Sequence, residues 1–195
     1  MEQMQEKISF KNIYYPPGGI MLWIIIFLEL GTFGLGLLGL AYYGALTPEL
    51  FHEARMHLNT LLGTSNTLIL LVSGYTMARA VAAFRSGDKQ KAKWLIKITL
   101  IGGALFLALK SYEYYEKLAS GLEMWDNMFY TFYWLLTGFH LVHVVVGMVI
   151  LGYMSFKIDA RKSPTDELDL ESGAAFWHMC DLIWLLLFPS LYLIF

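Results

Sequence analysis

Five long apolar stretches, at 20–43, 58–84, 94–112, 128–156 and 174–195, dominate the chain and are divided by short charged blocks. A bilayer core takes about 20 apolar residues as a helix, because every backbone polar group must find its partner inside the segment. The pattern therefore predicts an all-α fold, a polytopic bundle of five transmembrane helices forming one domain over 1–195, with no second, soluble unit. Charge content agrees. Only 15% of the 195 residues are charged and 57% are hydrophobic, whereas soluble domains carry about 25% charged residues. Lys7 and Lys11 before the first stretch give it the look of a signal peptide. A signal core runs only about 7–15 residues and ends at a small-x-small site, so 20–43 is expected to remain as a span.

Basic residues set the expected orientation. With five spans, the N-terminus and the 85–93 and 157–173 loops share a face. It collects Lys7, Lys11, Arg79, Arg85, Lys89, Lys91, Lys93, Lys97, Lys157, Arg161 and Lys162, whereas the other face holds Arg55, Lys110 and Lys117. The base-rich face should be cytoplasmic, placing the N-terminus inside and the C-terminus outside. Omitting the third stretch would scatter these bases over both faces. Tyr14, Tyr15, Tyr42, Tyr43, Tyr112, Tyr114, Tyr115 and Trp125 fall near span ends, as an interfacial belt would. Gly31, Gly34, Gly36 and Gly39 in the first span, with Gly138 and Gly147 in the fourth, would permit close helix contact.

Several function classes drop out. The single cysteine, Cys180, excludes an internal disulfide and any multi-cysteine metal motif, and a net charge of −2 gives no reason to expect nucleic acid. No phosphate-binding glycine loop is present, and the chain does not read as a complete enzyme.

The informative residues are polar groups inside the spans. Glu29 sits nine residues into the first, roughly 13 Å deep. A bare carboxylate there costs on the order of 3 kcal/mol unless it is paired or protonated. It reads either as a polar pin between helices or as a proton- or lipid-linked site. His140 and His143 lie three apart on the fourth span, and His178 and Asp181 repeat that spacing on the fifth. Depth places Glu29, His143 and Asp181 at one level, so a cluster between the first, fourth and fifth helices is expected. Arg79 is placed to pair with Asp181 or to snorkel. The histidines allow three readings: haem ligands, a metal site with carboxylates, or a hydrogen-bonded network fixing helix register. The depths of His178 and His143 do not match and His140 lacks an opposite number, so the network is preferred. Lys110 and Glu113 read as a local ion pair at the outer headgroups, worth a few tenths of a kcal/mol. Asn59, Ser65, Asn66 and Thr67 are expected to bond to neighbouring helices. His52 and His57 are expected to be solvated.

These positions resemble a known family. The run Trp134-Leu-Leu-Thr-Gly-Phe-His140-Leu-Val-His143-Val-Val-Val-Gly147 resembles the penultimate helix of subunit III of haem–copper respiratory oxidases. Phe176-Trp177-His178-Met-Cys-Asp181-Leu-Ile-Trp184 resembles the Trp-His-x-x-Asp-x-x-Trp pattern of its last helix. Phe27-Leu-Glu29 is similar to its membrane glutamate, and Lys110-Ser-Tyr-Glu113-Tyr114 to the outer end of its third conserved helix. The likeness runs from about Trp23 to the C-terminus. Long members carry two further N-terminal helices that hold phospholipid; five-helix members occur with bacterial oxidases and nitric oxide reductases. Lys110 and the ending Leu187-Phe-Pro-Ser-Leu-Tyr-Leu are most similar to the nitric-oxide-reductase-associated (NorE) branch.

The resemblance implies a non-catalytic accessory subunit of the bacterial inner membrane that binds no redox centre itself. It would pack on a haem-bearing catalytic subunit I, whose cofactors are haem with copper or iron, and support proton uptake, with phospholipid as a candidate ligand. Two other classes remain: a stand-alone proton-coupled carrier using Glu29 and His143, and a small haem-binding electron carrier. Carriers commonly show internal repeats or broken helices, and neither is visible.

Overall fold

A computed structural model describes residues 19–158 and 165–195. Lys7, Lys11, Tyr14, Tyr15, Arg161 and Lys162, used above for orientation and the interfacial belt, lie outside the described residues. Among those described the fold is all-helical: α1 (Gly19–Leu46), α2 (Pro48–Met56), α3 (Thr60–Arg85), α4 (Lys89–Ala119), α5 (Met128–Lys157) and α6 (Glu167–Tyr192). Five are long and apolar enough to cross a bilayer, as the sequence predicts. The exception is α2, read from sequence as outer loop. At nine residues it is too short to span. It starts at Pro48, where a fixed φ suits the first turn and the missing N–H costs nothing. Phe51 and Ala54 are buried, with Phe51 packed edge-on against Phe129 of α5 and Phe195.

Side-chain caps mark where four spans begin. Asn59 Oδ1 accepts from the amides of Leu61 and Leu62, Asp88 from Lys91, Asn127 from Tyr130 and Asp166 from Asp169. Each satisfies donors a helix start leaves unpaired. Asn59 thus serves its own helix rather than a neighbour. Gly87, at φ +86°, turns α3 into α4 as only glycine does without strain.

The helices alternate up and down. Arg85 at the end of α3 bonds Glu167 and Glu171 at the start of α6, with Nε 2.9 and 3.0 Å away. At the opposite end the Phe195 ring covers Gly44 of α1. α6 is the most enclosed span and packs on α1, α3 and α5; α1 is the least enclosed. Gly36, Gly39 and Gly147 sit at close helix contacts, as expected, against Leu136, Phe132 and Trp177. Gly31, Gly34 and Gly138 do not: a methyl group there would meet open space.

Candidate functional site: paired polar groups inside the bundle

Glu29 and His143 meet across α1 and α5, with Oε2 and Nε2 3.1 Å apart. His143 Nδ1 lies 2.8 Å from the carbonyl of Phe139, one turn back. That oxygen only accepts, so Nδ1 carries a proton and Nε2 faces Glu29 with a lone pair or a second proton. The contact is attractive only when the two groups share one proton more than a neutral imidazole and a carboxylate hold. The pair is then electrically neutral, whichever partner keeps it. Phe33 and Phe139 flank the imidazole edge-on. Glu29→Gln is expected to leave accumulation intact and the unfolding midpoint close to wild type, because the amide N–H can donate to Nε2. Glu29→Leu should cost about 1–3 kcal/mol by leaving that nitrogen with no polar group beside it. Detergent unfolding of both variants measures the difference.

The expected three-residue cluster divides. Asp181 does not join Glu29 and His143; its Oδ2 lies 3.5 Å from His178 Nδ1 on the same helix. This carboxylate lies instead against Gly74 of α3, at the spot a side chain there would fill. Arg79 does not reach Asp181: its Nη1 donates to the Tyr75 hydroxyl at 3.2 Å on the exposed face of α3.

His140 stands apart from the pairs. It is fully buried, stacked on Trp184 with Phe106 edge-on, and neither ring nitrogen has a partner. Three residues separate it from His143, yet it turns into the aromatic interior of the bundle, where Phe33 of α1 also meets it edge-on. Asn66, expected to bond a neighbouring helix, is also buried with both amide atoms unpaired. Thr67 does bond across, accepting from Trp184 Nε1 at 3.0 Å. His52 and His57 are exposed.

Lys110 and Glu113 require the largest correction. The reading as a headgroup-level pair fails because both are 0% exposed. Helix α4 continues to Ala119, nine residues beyond Lys110, or about 13 Å at 1.5 Å per residue. Lys110 Nζ donates to Glu113 Oε2 at 3.0 Å, to Tyr133 OH at 3.1 Å and to Tyr192 OH at 2.8 Å. Both phenols donate in turn to Glu113 Oε1, at 3.0 and 2.6 Å. The rings of Tyr114, Tyr133, Trp184 and Tyr192 surround the ammonium, with centroids 4.6–5.4 Å away. Sequence reading missed Tyr133 and Tyr192. The available signal was a tyrosine in an otherwise apolar stretch, since a buried phenol needs a partner.

A second polar seam joins three helices. Trp177 Nε1 donates to Ser73 Oγ at 3.0 Å, and the Thr76 and Thr99 hydroxyls lie 2.8 Å apart. Among the described residues no three histidine, cysteine, aspartate or glutamate side chains converge on a point where a metal could sit.

Five spanning helices with hydrogen-bonded polar groups between them define a multi-pass membrane protein. The family profile described as "Cytochrome c oxidase subunit III" matches residues 51–194, and the chain belongs to that family. Cytochrome c oxidase subunit 3 of Synechocystis sp. is 31% identical over 182 residues, covering 90% of this chain and 74% of the relative. The Gallus gallus protein of that name is 32% identical over 128 residues, covering 65% and 48%. A probable cytochrome c oxidase subunit 3 of Rickettsia conorii is 31% identical over 131 residues, covering 66% and 45%. The chain thus spans about half the length of the latter two.

Proposed function

We propose that the chain is a non-catalytic accessory subunit of a haem–copper respiratory oxidoreductase in the bacterial cytoplasmic membrane. The family match over residues 51–194 carries this reading. It packs against a larger catalytic subunit that holds the haem with copper or iron, while this chain supplies packing surface. The sparsely enclosed α1 leaves apolar surface for that subunit or for phospholipid. Arg85, Lys89, Lys91, Lys93 and Lys157 cluster where α3 ends, α4 begins and α5 ends, which supports a cytoplasmic location for that end.

The close approach of Glu29 to His143 supports a part in proton uptake, since a pair that shares one proton leaves no bare charge in hydrocarbon. For the branch, the contact between Lys110 and Tyr192 is informative. It joins the two features whose likeness carries the nitric-oxide-reductase-associated assignment, Lys110 and the C-terminal run.

The test is purification of the tagged chain in mild detergent, with an absorption spectrum and mass spectrometry of what accompanies it. A haem-bearing subunit I that co-purifies, with no haem on the tagged chain, is the expected result, and the identity of that subunit decides the branch. A chain that purifies alone and moves protons in liposomes would overturn this in favour of a carrier.

A further inference from the structure

Two exposed bases on the outside of the bundle lack a carboxylate partner among the described residues. Arg79 on α3 donates to the neutral Tyr75 hydroxyl, and Lys97 on α4 is exposed beside it. Register sets them at one level. The two helices run antiparallel, matched by the Thr76–Thr99 hydroxyl contact at 2.8 Å and by Ser73 against Gly102. Arg79 follows Thr76 by three residues and Lys97 precedes Thr99 by two. Both therefore stand about 3–4.5 Å further toward the turn that carries Arg85 and Lys89.

Helical spacing sets them on one face. Leu68, Val72, Tyr75 and Arg79 recur at steps of three and four along α3, and Lys97, Ile101 and Leu105 at steps of four along α4. The apolar members of both stripes are exposed. Between them runs an apolar groove of about 310 Å³, walled by Leu68, Val72, Ile101 and Leu105 with Ser73 and Gly102 in its floor. Arg79 and Lys97 thus head the two walls at the same end. Trp94, three residues nearer that end than Lys97, is also exposed, as tryptophan at the headgroup level is.

We propose that the α3–α4 groove binds a phospholipid of net negative charge. Its phosphate lies between Arg79 and Lys97, and one acyl chain runs along the groove. The long basic side chains extend toward the headgroups while their stems stay on apolar surface, and basic sites between spanning helices hold anionic headgroups. Tyr75 accepts from Arg79, so its own O–H remains to donate to a phosphate oxygen. An amine headgroup would add a third cation to these two, and free phosphate would leave the groove without hydrocarbon. A carboxylate on a partner helix would stand bare in the bilayer whenever the helices part. The lipid phosphate stays at the headgroup plane throughout. The site needs no catalytic partner and is separate from the open surface of α1.

The test uses the full-length chain, with whatever accompanies it, washed in detergent containing equal phosphatidylglycerol and phosphatidylcholine. Native mass spectrometry counts the retained lipid. Phosphatidylglycerol should be enriched on the order of tenfold over phosphatidylcholine. Arg79→Gln with Lys97→Gln should bring the two lipids to parity, while Lys89→Gln with Lys91→Gln should keep the enrichment. Ile101→Trp, at a lipid-facing position, should fill the groove and lower phosphatidylglycerol retention without unfolding the bundle. Equal retention of both lipids by wild type would overturn the site, as would enrichment that survives loss of Arg79 and Lys97 or vanishes with Lys89 and Lys91. Displacement of the lipid by inorganic phosphate would reassign the two bases to a free anion. Unchanged retention in Ile101→Trp would overturn the groove, and so would a photo-crosslinker at Val72 that captures protein and no lipid.

Discussion

Replacing Lys110 with methionine is expected to destabilise the bundle by about 3–5 kcal/mol, the usual cost of removing one partner of a buried charge pair. The methionine fills much of the lysine volume, so lost packing is not the main term. What remains is Glu113, fully buried, facing two phenols instead of an ammonium. The phenols still donate to its Oε1, but Oε2 loses the ammonium of Lys110. The variant to set beside it is Lys110→Met with Glu113→Leu. Removing both charges removes the desolvation they share, and apolar replacements of buried pairs are often neutral or better. The double variant should therefore recover most of the loss, with the remainder reporting the orphaned Tyr133 and Tyr192 hydroxyls. Unfolding in mixed detergent, followed by circular dichroism, gives the midpoints. A double variant no more stable than the single one would mean that the phenols, and not the charges, hold α4, α5 and α6 together here.

That network shows what a sequence can and cannot disclose about such a fold. The spans were legible because their apolar length is a one-dimensional property. The third stretch looks shorter than its helix, because the Lys110 and Glu113 charges interrupt the apolar run while α4 continues to Ala119. Their partners were illegible: Tyr133 and Tyr192 come from two other helices, 23 and 82 residues away from Lys110. Depth along a span was also readable, which is why Glu29 and His143 could be matched before any fold was known. Rotation about a helix axis was not readable. Asp181 faces Gly74 and not the Glu29–His143 pair, and His140, one turn from His143, stacks on Trp184. The short α2 was missed because its nine residues carry acids and bases among the apolar ones, leaving no apolar length to detect.

Trp177→Ala should also cost about 3–5 kcal/mol, at the upper end of core truncations. The indole is fully buried and touches three other helices. Its ring edge fills the space left by the missing side chain of Gly103 on α4, its face lies over Gly147 on α5, and its N–H bonds Ser73 on α3. Alanine is the best helix former, so α6 itself should persist. The loss is a cavity at the junction of four helices together with the Ser73 bond. Trp177→Phe keeps most of the volume and should lose less, on the order of 1–2 kcal/mol, through the hydrogen bond and the smaller ring. Detergent unfolding of the two variants separates volume from hydrogen bonding. The result bears on helix placement, because the wedge that seats Trp177 against α3, α4 and α5 helps to fix the rotation of α6. If the unfolding midpoint of Trp177→Ala matched wild type, the rotation of α6 would have to be set elsewhere. The Trp184–Thr67 and Lys110–Tyr192 bonds and the contact between Gly74 and Asp181 would then be the remaining locks.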